Sequence, residues 1–573
     1  MEKGNEQEEI LESIPEQDKP VSKYKAQKLS YFLGLYGGEH VSGTEFVVGA
    51  SLVLWGVSIG DVILGLIIGN ALAVLTWGLI CAPIATSTRL TVYAYLKKIA
   101  GPWMQKIYNI VNGILFVFFS GAMVTISASA IRVLFGLPPQ THWYPTNAGF
   151  VMLVLCVGFI VSTIAAFGFK SVAQFSSVCA PWLLLIFIVG AIIGVAQIVT
   201  LVPGFDHIGS FSDFLSLANQ YIWVIDSENS QGLSIYHVIA YAWLSNMIAH
   251  GALSDMAVLR FAKKSSYGFA SAVGMYFGHC LAWICCSIMG ASSALLLQQS
   301  ITQIDSGAVA FYTLGYTGII AVLIAGWTTS NPNIYRAGLA FQTIFTQFKP
   351  RKVTFCTGLM MTVVACFPFV FTKLLDFTTY LGIIVAPIGA IVVAEHWIFQ
   401  RIGMTRFWSF YKGSRLNVPA FASWMLAIAL SLAMNYFNVL HLFFLPAASW
   451  IVALFLYIGL AAIGGAREKY PEEQALDEEI TKRVIHEQDK KALKEQEIRN
   501  KKVTASPAGW ITGIVGILAI VDLAAIMVLS IGVFVGSVDF TAFRNISFDL
   551  TIAYFIFAII WIRRHERASQ ANS

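Results

Sequence analysis

Long apolar stretches separated by short polar segments dominate the chain from about residue 30 onward. Stretches such as Val62–Leu79, Gly149–Phe167 and Trp510–Val535 reach or approach the ~20 residues that a helix needs to cross the hydrocarbon of a bilayer. Because lipid offers the backbone no hydrogen-bond partner, such stretches are predicted to be helices. The pattern predicts about fourteen membrane spans: Ser30–Val57, Asp61–Pro83, Trp103–Phe135, Ala148–Phe167, Val172–Val202, Val238–Leu259, Gly268–Leu297, Val309–Phe345, Phe355–Phe371, Phe377–Gln400, Pro419–Asn438, Phe443–Gly464, Gly509–Gly536 and Phe548–Arg563.

The composition agrees with a polytopic membrane protein. The 573 residues are 57% hydrophobic and 12% charged, whereas a soluble domain carries about 25% charged residues because its surface must be solvated. The sequence offers no nucleophile–base set, no metal-spaced cluster of Cys and His, and no phosphate-binding loop. We therefore expect neither an enzyme nor a nucleic-acid partner.

Positive charge is concentrated in loops on one side of the predicted spans, as in Lys97–Lys98, Arg260–Lys264, Lys349–Lys352 and Arg401–Arg415. The positive-inside rule then predicts a multi-pass protein of the plasma (inner) membrane with both termini in the cytoplasm. The predicted division has five parts: a loose cytoplasmic N-terminal tail (1–28), a body of about twelve spans (29–465), a charged cytoplasmic linker (466–507), two extra spans (508–564) and a cytoplasmic C-terminal tail (565–573).

The charged linker contains Leu476, Ile480 and Val484 at helical spacing, which predicts a short helix. A mixed-charge run of this kind is usually a solvated connection, and a regulatory role is the less favoured interpretation.

Span one contains an unusual polar segment, residues 37–46, with three glycines and the carboxylates of Glu39 and Glu45. A broken helix is tolerated in a membrane only where it lines a cavity or is buried in protein. Glu39 and His40 are also compatible with a position at the membrane interface. For Glu45 a cavity is favoured, since apolar sequence continues beyond it and a carboxylate in lipid is costly.

Span six has a second polar segment, residues 243–255, which includes Asn246, His250 and Asp255. It follows the first by five spans, the spacing of a five-helix inverted repeat. Because Asp255 adjoins the basic cluster Arg260–Lys264, it is predicted to be a solvated helix end.

Span eight has a third polar segment, residues 325–335, in which Thr328, Thr329 and Ser330 place three hydroxyls before Pro332. Hydroxyls and freed carbonyls suit a hard cation such as sodium. Alternatively, each hydroxyl bonds back to a carbonyl four residues earlier, as is common in membrane helices.

These segments resemble the nucleobase:cation symporter-1 family. The segment Trp327–Leu339 is similar to the family's W-T-T-N-x-N-x-x-Y-x-x-G-L stretch, Gly49–Asn70 ends in a matching I-G-N, and Ala386–Gly389 is followed by Ala394-Glu395. The resemblance runs from about Lys28 to Gly464 and leaves the last two spans unexplained. Within the family the chain looks closest to purine/cytosine permease-like members, whose relatives include hydantoin, allantoin and thiamine permeases.

The resemblance implies an all-α fold of two inverted five-helix repeats of the leucine-transporter type, plus additional helices. It also implies a secondary active transporter that imports a nucleobase or related small planar heterocycle by symport with sodium or a proton, through alternating access. The expected partners are this heterocyclic substrate and the lipid bilayer, with no cofactor beyond the coupling ion. The oligomeric state is not indicated.

Carried over residue by residue, the resemblance implies a sodium site and a substrate site. The sodium ligands would be the carbonyls of Gly43, Phe46 and Ala325 and the hydroxyls of Thr328 and Thr329. The substrate site would comprise Glu45, Phe119, Trp243, Asn246 and Ser330, with Phe119 stacking on the heterocycle.

Three positions depart from the family pattern. The family's Gly-Trp-Phe-Gly is Phe118-Phe119-Ser120-Gly121 here, which stacks without an indole donor. Its Ala-Asp-Tyr is Ala394-Glu395-His396, and Glu45 replaces a small residue. Two other interpretations stay open: a carrier of an amino acid or of an organic cation such as thiamine on the same fold, and a membrane sensor without transport that uses the charged linker as its output.

Overall fold

The computed structural model describes residues 14–166, 169–225, 231–502 and 510–571, so parts of the predicted tails and linker (1–13, 503–507 and 572–573) lie outside the described residues. The described chain is helical almost throughout. The main helices are α1 Leu29–His40, α2 Thr44–Leu52, α3 Ile59–Thr76, α4 Ala82–Thr88, α5 Val92–Leu134, α6 Ala148–Ala166, α7 Phe169–Leu201, α8 Phe211–Tyr221, α9 Ile235–Leu244, α10 Met247–His250, α11 Met256–Leu259, α12 Trp283–Leu297, α13 Ser306–Leu314, α14 Tyr316–Gln342, α15 Pro350–Ala365, α16 Leu374–Val393, α17 Val418–Tyr436, α18 Leu445–Gly464, α19 Pro471–Lys502, α20 Trp510–Phe534 and α21 Phe540–Ala571.

Ten of the described helices are long and apolar enough to cross a membrane. The four other predicted spans are not among them. Spans one and six are broken, span eight is more polar, and span nine corresponds to the 16-residue helix α15. The count of fourteen spans therefore stays a prediction.

The prediction that span eight, Val309–Phe345, is continuous from its beginning is wrong. The chain turns at Gly315, whose φ of 62° and ψ of −140° end α13 and begin α14. This backbone conformation is open to glycine because it lacks a β-carbon. The apolar run did not show the break because glycine also occurs freely within membrane helices.

Span one is interrupted as its polar segment predicts. Helix α1 ends at His40, where Val41 has φ −90° and ψ 78°, and α2 begins at Thr44. Span six is interrupted in the same way, because α9 ends at Leu244 and Asn246 has non-helical angles before the short helix α10. Both interruptions lie among buried side chains, which is where a membrane protein tolerates irregular backbone.

The long helices α5 and α14 pack directly against each other beside these breaks. Helix α5 is kinked at Gly101, which precedes Pro102, and its later part lies along α14. A β-carbon on Gly326 of α14 would lie 2.5 Å from the carbonyl oxygen of Met123, so only glycine allows the two backbones to approach this closely. The close packing fixes the polar residues of α14 relative to α5.

The two last helices, α20 and α21, pack against each other and against α7. The indole of Trp182 donates to the hydroxyl of Thr551 at 3.2 Å, and the hydroxyl of Tyr554 donates to the carbonyl of Val178 at 2.8 Å. Specific polar contacts of this kind tie the two extra helices to the rest of the bundle.

The charged linker forms one helix, α19, of 32 residues, which is longer than the short helix expected. It also holds the N-terminal segment, so the expectation of a loose tail is wrong for residues 14–28. The Ser22 hydroxyl donates to Asp489 of α19 at 2.6 Å, and Lys98 of α5 donates to Asp477 at 2.6 Å. The N-terminal segment, α19 and the beginning of α5 therefore lie together on one face of the protein.

Candidate functional site

The break in span one brings backbone oxygens next to the polar stretch of α14. Because the helix ends at His40, the carbonyl of Glu39 has no amide four residues later to bond within α1, and it accepts instead from the hydroxyl of Thr329 at 3.0 Å. The carbonyl of Ala325 accepts from Thr329 at 3.1 Å and from Thr328 at 3.2 Å. Four oxygens from two helices thus converge in the interior.

The predicted ion ligands are brought together in part. Thr328 and Ala325 are fully buried. Gly43 lies against the same turn of α14, since a β-carbon there would be 3.1 Å from the Cα of Gly326. Phe46 is buried with its ring 5.0 Å from that of Phe187. The alternative of hydroxyls bonding back along the helix is also present. The single hydroxyl proton of Thr329 is shared between the carbonyl of Ala325 in its own helix and that of Glu39 in span one.

Glu45 lies in the first turn of α2 and is fully buried. One carboxylate oxygen accepts from the hydroxyls of Ser42 at 2.8 Å and Thr44 at 2.9 Å. The other accepts from the indole of Trp283, the first residue of α12. The carboxylate is therefore held by three donors, which offset the cost of its burial.

His279 connects Glu45 to the break in span six. Its Nε2 is 3.9 Å from a carboxylate oxygen of Glu45, and its Nδ1 is 3.0 Å from the side-chain nitrogen of Asn246. Its ring stacks on that of Trp283, with centroids 4.7 Å apart and planes 14° apart. Glu45 and Asn246, which the sequence assigns to one site, thus meet through a histidine of the π-helical segment Gly274–Ala282.

The remaining predicted substrate residues are Trp243, Phe119 and Ser330. The indole of Trp243 donates to the Thr76 hydroxyl at 3.2 Å, and Phe119 packs against the same large apolar cluster as Trp243. Ser330 is fully buried and its hydroxyl lies 2.5 Å from that of Ser120 on α5. Phe119 and Trp243 keep half-buried rings, whereas Ser330 is closely engaged between α5 and α14.

The prediction that Asp255 is a solvated helix end is wrong. Its side chain is fully buried and one oxygen accepts from Arg336 of α14 at 2.7 Å. The other oxygen accepts from the indole of Trp77 at 2.7 Å and from the hydroxyl of Tyr36 at 3.1 Å. Arg336 also forms a two-pronged ion pair with Glu39. The basic cluster nearby in sequence is not the partner of Asp255.

His279, Trp283 and Arg336 belong to this interior, and sequence reasoning did not single them out. A signal was present for His279 and Arg336, because each is an ionisable residue inside a predicted apolar span, and such residues usually face a partner or a cavity. For Trp283 no such signal exists, since an indole in an apolar run is ordinary.

The two interrupted helices, the long helices packed beside them and the convergent polar groups define a leucine-transporter-type fold, an architecture of membrane transporters. The chain is similar to Mhp1, a nucleobase-cation-symport-1 family transporter, in a closed conformation with bromovinylhydantoin bound, with a TM-score of 0.61 and 15% identity over 82% of this chain and 99% of that chain. For the inward-facing conformation of Mhp1 the TM-score is 0.59, with 15% identity over 81% and 97%.

A further solved structure with the same fold is the substrate-bound outward-open state of a Na+-coupled sialic acid symporter, with a TM-score of 0.53 and 13% identity over 78% of this chain and 93% of that chain. No family model matches the sequence, and no curated protein matches it. The expected fold, with its resemblance to the nucleobase-cation-symport-1 architecture, is confirmed. At these identities the likeness concerns the fold and leaves the substrate open.

Proposed function

We propose that this protein is a secondary active transporter that imports a nucleobase or a related small planar heterocycle by symport with sodium or a proton. One observation carries the proposal: the break in span one frees a buried carbonyl, and the hydroxyl of Thr329 meets it within a fold shared with cation-coupled symporters. Breaks that expose backbone oxygens next to hydroxyls are the usual way in which such folds bind a coupling ion.

For the ion, the proposed ligands are the carbonyls of Gly43, Phe46 and Ala325 and the hydroxyls of Thr328 and Thr329. Oxygen ligands without fixed negative charge suit a hard monovalent cation. The burial of Ala325, Thr328 and Thr329 supports this assignment, because water is kept from competing with the ion. A bound ion would draw the beginning of α2 and α14 together beside the break.

For the substrate, the proposed residues are Phe119, Trp243, Asn246, Glu45 and Ser330. In this proposal a planar ring stacks on the half-buried rings of Phe119 and Trp243, since aromatic stacking is favourable for any heterocycle. Asn246 would bind its polar edge. Glu45 would accept a hydrogen bond from an N–H group of the substrate in place of one of the three hydrogen bonds that it accepts now. A substrate without N–H groups would therefore bind less well.

In the proposed cycle, ion binding orders the break in span one and completes the substrate site. The helices carrying the breaks then rock against α5 and α14, and both ligands leave on the other side. This is alternating access around a fixed site at the middle of the bilayer. The half-buried state of Trp243 and Asn246 at the break in span six supports a site that opens by small movements there.

The test is uptake in cells that lack their own permeases, with a radiolabelled panel of nucleobases, hydantoin, allantoin and thiamine, with and without sodium and a protonophore. We expect uptake of one planar heterocycle that competes with nucleobases and not with amino acids. Competition by amino acids instead would favour the alternative carrier. Ligand binding without accumulation in vesicles would favour a sensor.

The ion site is tested by the double substitution Thr328→Ala and Thr329→Ala. We expect the dependence of uptake on sodium to be lost or shifted by about tenfold or more, since two ligands are removed at once. The matched control is Thr357→Ala, because Thr357 is buried and its hydroxyl bonds to the carbonyl of Val353 in its own helix. Unchanged sodium dependence in the double variant would refute the ion site.

A further inference from the structure

A buried cluster of three charged residues adjoins the proposed ion site, because one of its members, Glu39, contacts Thr329. Arg336 of α14 bonds Glu39 of α1 through both of its terminal nitrogens, one at 3.1 Å, and bonds Asp255 at 2.7 Å. We call Glu39, Arg336 and Asp255 the ion triad. It joins three separate parts of the chain: the first half of span one, the second half of span six and span eight.

The ion triad is almost completely shielded from solvent, with exposed fractions of 7% for Glu39, 3% for Arg336 and 0% for Asp255. Removing one member of such a group leaves an uncompensated buried charge, which is far more costly than breaking a surface ion pair. The donors Trp77 and Tyr36 occupy the second oxygen of Asp255. Both carboxylates are therefore oriented by more than one donor, so the geometry of the cluster is tightly specified.

Glu39 belongs to the ion triad and also contacts the proposed ion ligand Thr329. Its carboxylate binds Arg336, while its backbone carbonyl accepts from the hydroxyl of Thr329. Arg336 follows Thr329 by seven residues, or about two helical turns, so both lie on the same face of α14. A displacement of Arg336 relative to α1 would consequently move the carbonyl that faces Thr329.

We infer that Glu39, Arg336 and Asp255 are positioning residues for the coupling ion. The ion triad holds the end of α1 in register with α14, so that the freed carbonyl of Glu39 stays in contact with the hydroxyl of Thr329 and keeps this ligand in place. Through Asp255 the same cluster ties the broken span six to the ion site. This inference rests on the proposed symport function and adds residues that the resemblance does not assign.

The test uses sodium alone as the probe, because the substrate is not identified. The purified full-length protein is unfolded by heat in detergent over a series of NaCl concentrations, with choline chloride to hold ionic strength constant. A ligand that binds only the folded state raises the midpoint as its concentration passes the dissociation constant. We expect a sodium-specific rise in the wild type and, in Glu39→Gln, a half-maximal sodium concentration about tenfold higher, since a charge-assisted two-pronged contact is lost.

The matched control is Asp305→Asn. Asp305 forms a buried ion pair with Arg132 at 2.5 Å, but it lies at the beginning of α13, outside the proposed site. Its loss should lower the midpoint in both salts and leave the half-maximal sodium concentration unchanged. If Glu39→Gln does not yield folded protein, Arg336→Lys replaces it, since lysine keeps the charge but not the fork of donors.

Two results would overturn the inference: a half-maximal sodium concentration in Glu39→Gln equal to that of the wild type, or an equal shift in Asp305→Asn. A wild type with no sodium-specific rise would overturn it together with the sodium site on which it rests. By contrast, a sodium response that depends on Glu39 in a protein that takes up none of the planar heterocycles would refute only the proposed substrate and would support the ion triad.

Discussion

The contact between Glu45 and Trp283 should be one of the strongest single interactions holding the break in span one. The donor is a buried indole and the acceptor is a fully buried carboxylate. A hydrogen bond to a charged group contributes about 1.5–3 kcal/mol, and a buried donor left without an acceptor costs about 1–3 kcal/mol. We therefore expect Glu45→Ala and Trp283→Phe to be individually destabilising and strongly coupled.

The coupling is measured with a double-mutant cycle, which subtracts the cavity that each substitution leaves. The wild type, the two single variants and the double variant are unfolded with sodium dodecyl sulfate in mixed micelles, followed by far-ultraviolet circular dichroism. We expect a coupling energy of about 1.5–3 kcal/mol between the two positions.

A matched control cycle uses Trp182→Phe and Thr551→Val, whose indole-to-hydroxyl bond of 3.2 Å is buried but involves no charge. It should give about 0.5–1.5 kcal/mol, the range of a neutral bond. A coupling energy between Glu45 and Trp283 below about 0.5 kcal/mol lies within the usual limit of additivity. It would refute the conclusion that the contact between Glu45 and Trp283 stabilises the break.

Two further substitutions test the close packing against span six and the docking of the N-terminal segment. Gly389→Ala should lower the free energy of unfolding by about 1–3 kcal/mol or more and abolish uptake, because a β-carbon there would overlap the carbonyl oxygen of Gly251 in span six. Its control in the same unfolding and uptake assays is Gly459→Ala, since a β-carbon at Gly459 would meet open space. Asp489→Asn should speed trypsin cleavage at Lys23 and Lys25 by about two- to fivefold, since surface ion pairs contribute up to about 1 kcal/mol. The control is Glu478→Gln, whose carboxylate pairs with Lys482 within α19, and equal cleavage in the two variants would contradict the docking of the N-terminal segment.

The features that could be predicted from the sequence are those that depend on local chemistry. The stretch Ala148–Phe167 is apolar and long enough to span lipid, and it forms the helix Ala148–Ala166. The glycines and carboxylates of residues 37–46 predict a break, and α1 does end within them. In both cases a short segment determines its own structure. In a bilayer, the backbone hydrogen bonds must be made within the segment, or the segment must be buried in protein.

The partners of the buried charges could not be predicted, because they come from distant parts of the chain. Asp255 is 81 residues from Arg336, and Glu45 is 238 residues from Trp283. The basic residues close to Asp255 in sequence favoured a solvated position, but burial of the carboxylate required a partner that tertiary packing supplies. The assignment of Phe119 and Trp243 to a substrate stays a prediction, since it depends on a ligand rather than on internal contacts.

The two carboxylates of span one lie on opposite sides of its break and are bound by different helices. Glu39 precedes the break and binds Arg336 of α14, whereas Glu45 follows it and binds Trp283 of α12. Each half of span one is therefore anchored to a different neighbour through a buried carboxyl group, and leaving such a group without its partner is costly. We therefore expect a relative movement of α12 and α14 to be absorbed near Val41, where the backbone is already non-helical. Because the freed carbonyl of Glu39 adjoins this hinge, such a movement would change the distance between that carbonyl and Thr329 and so couple helix movement to ion binding.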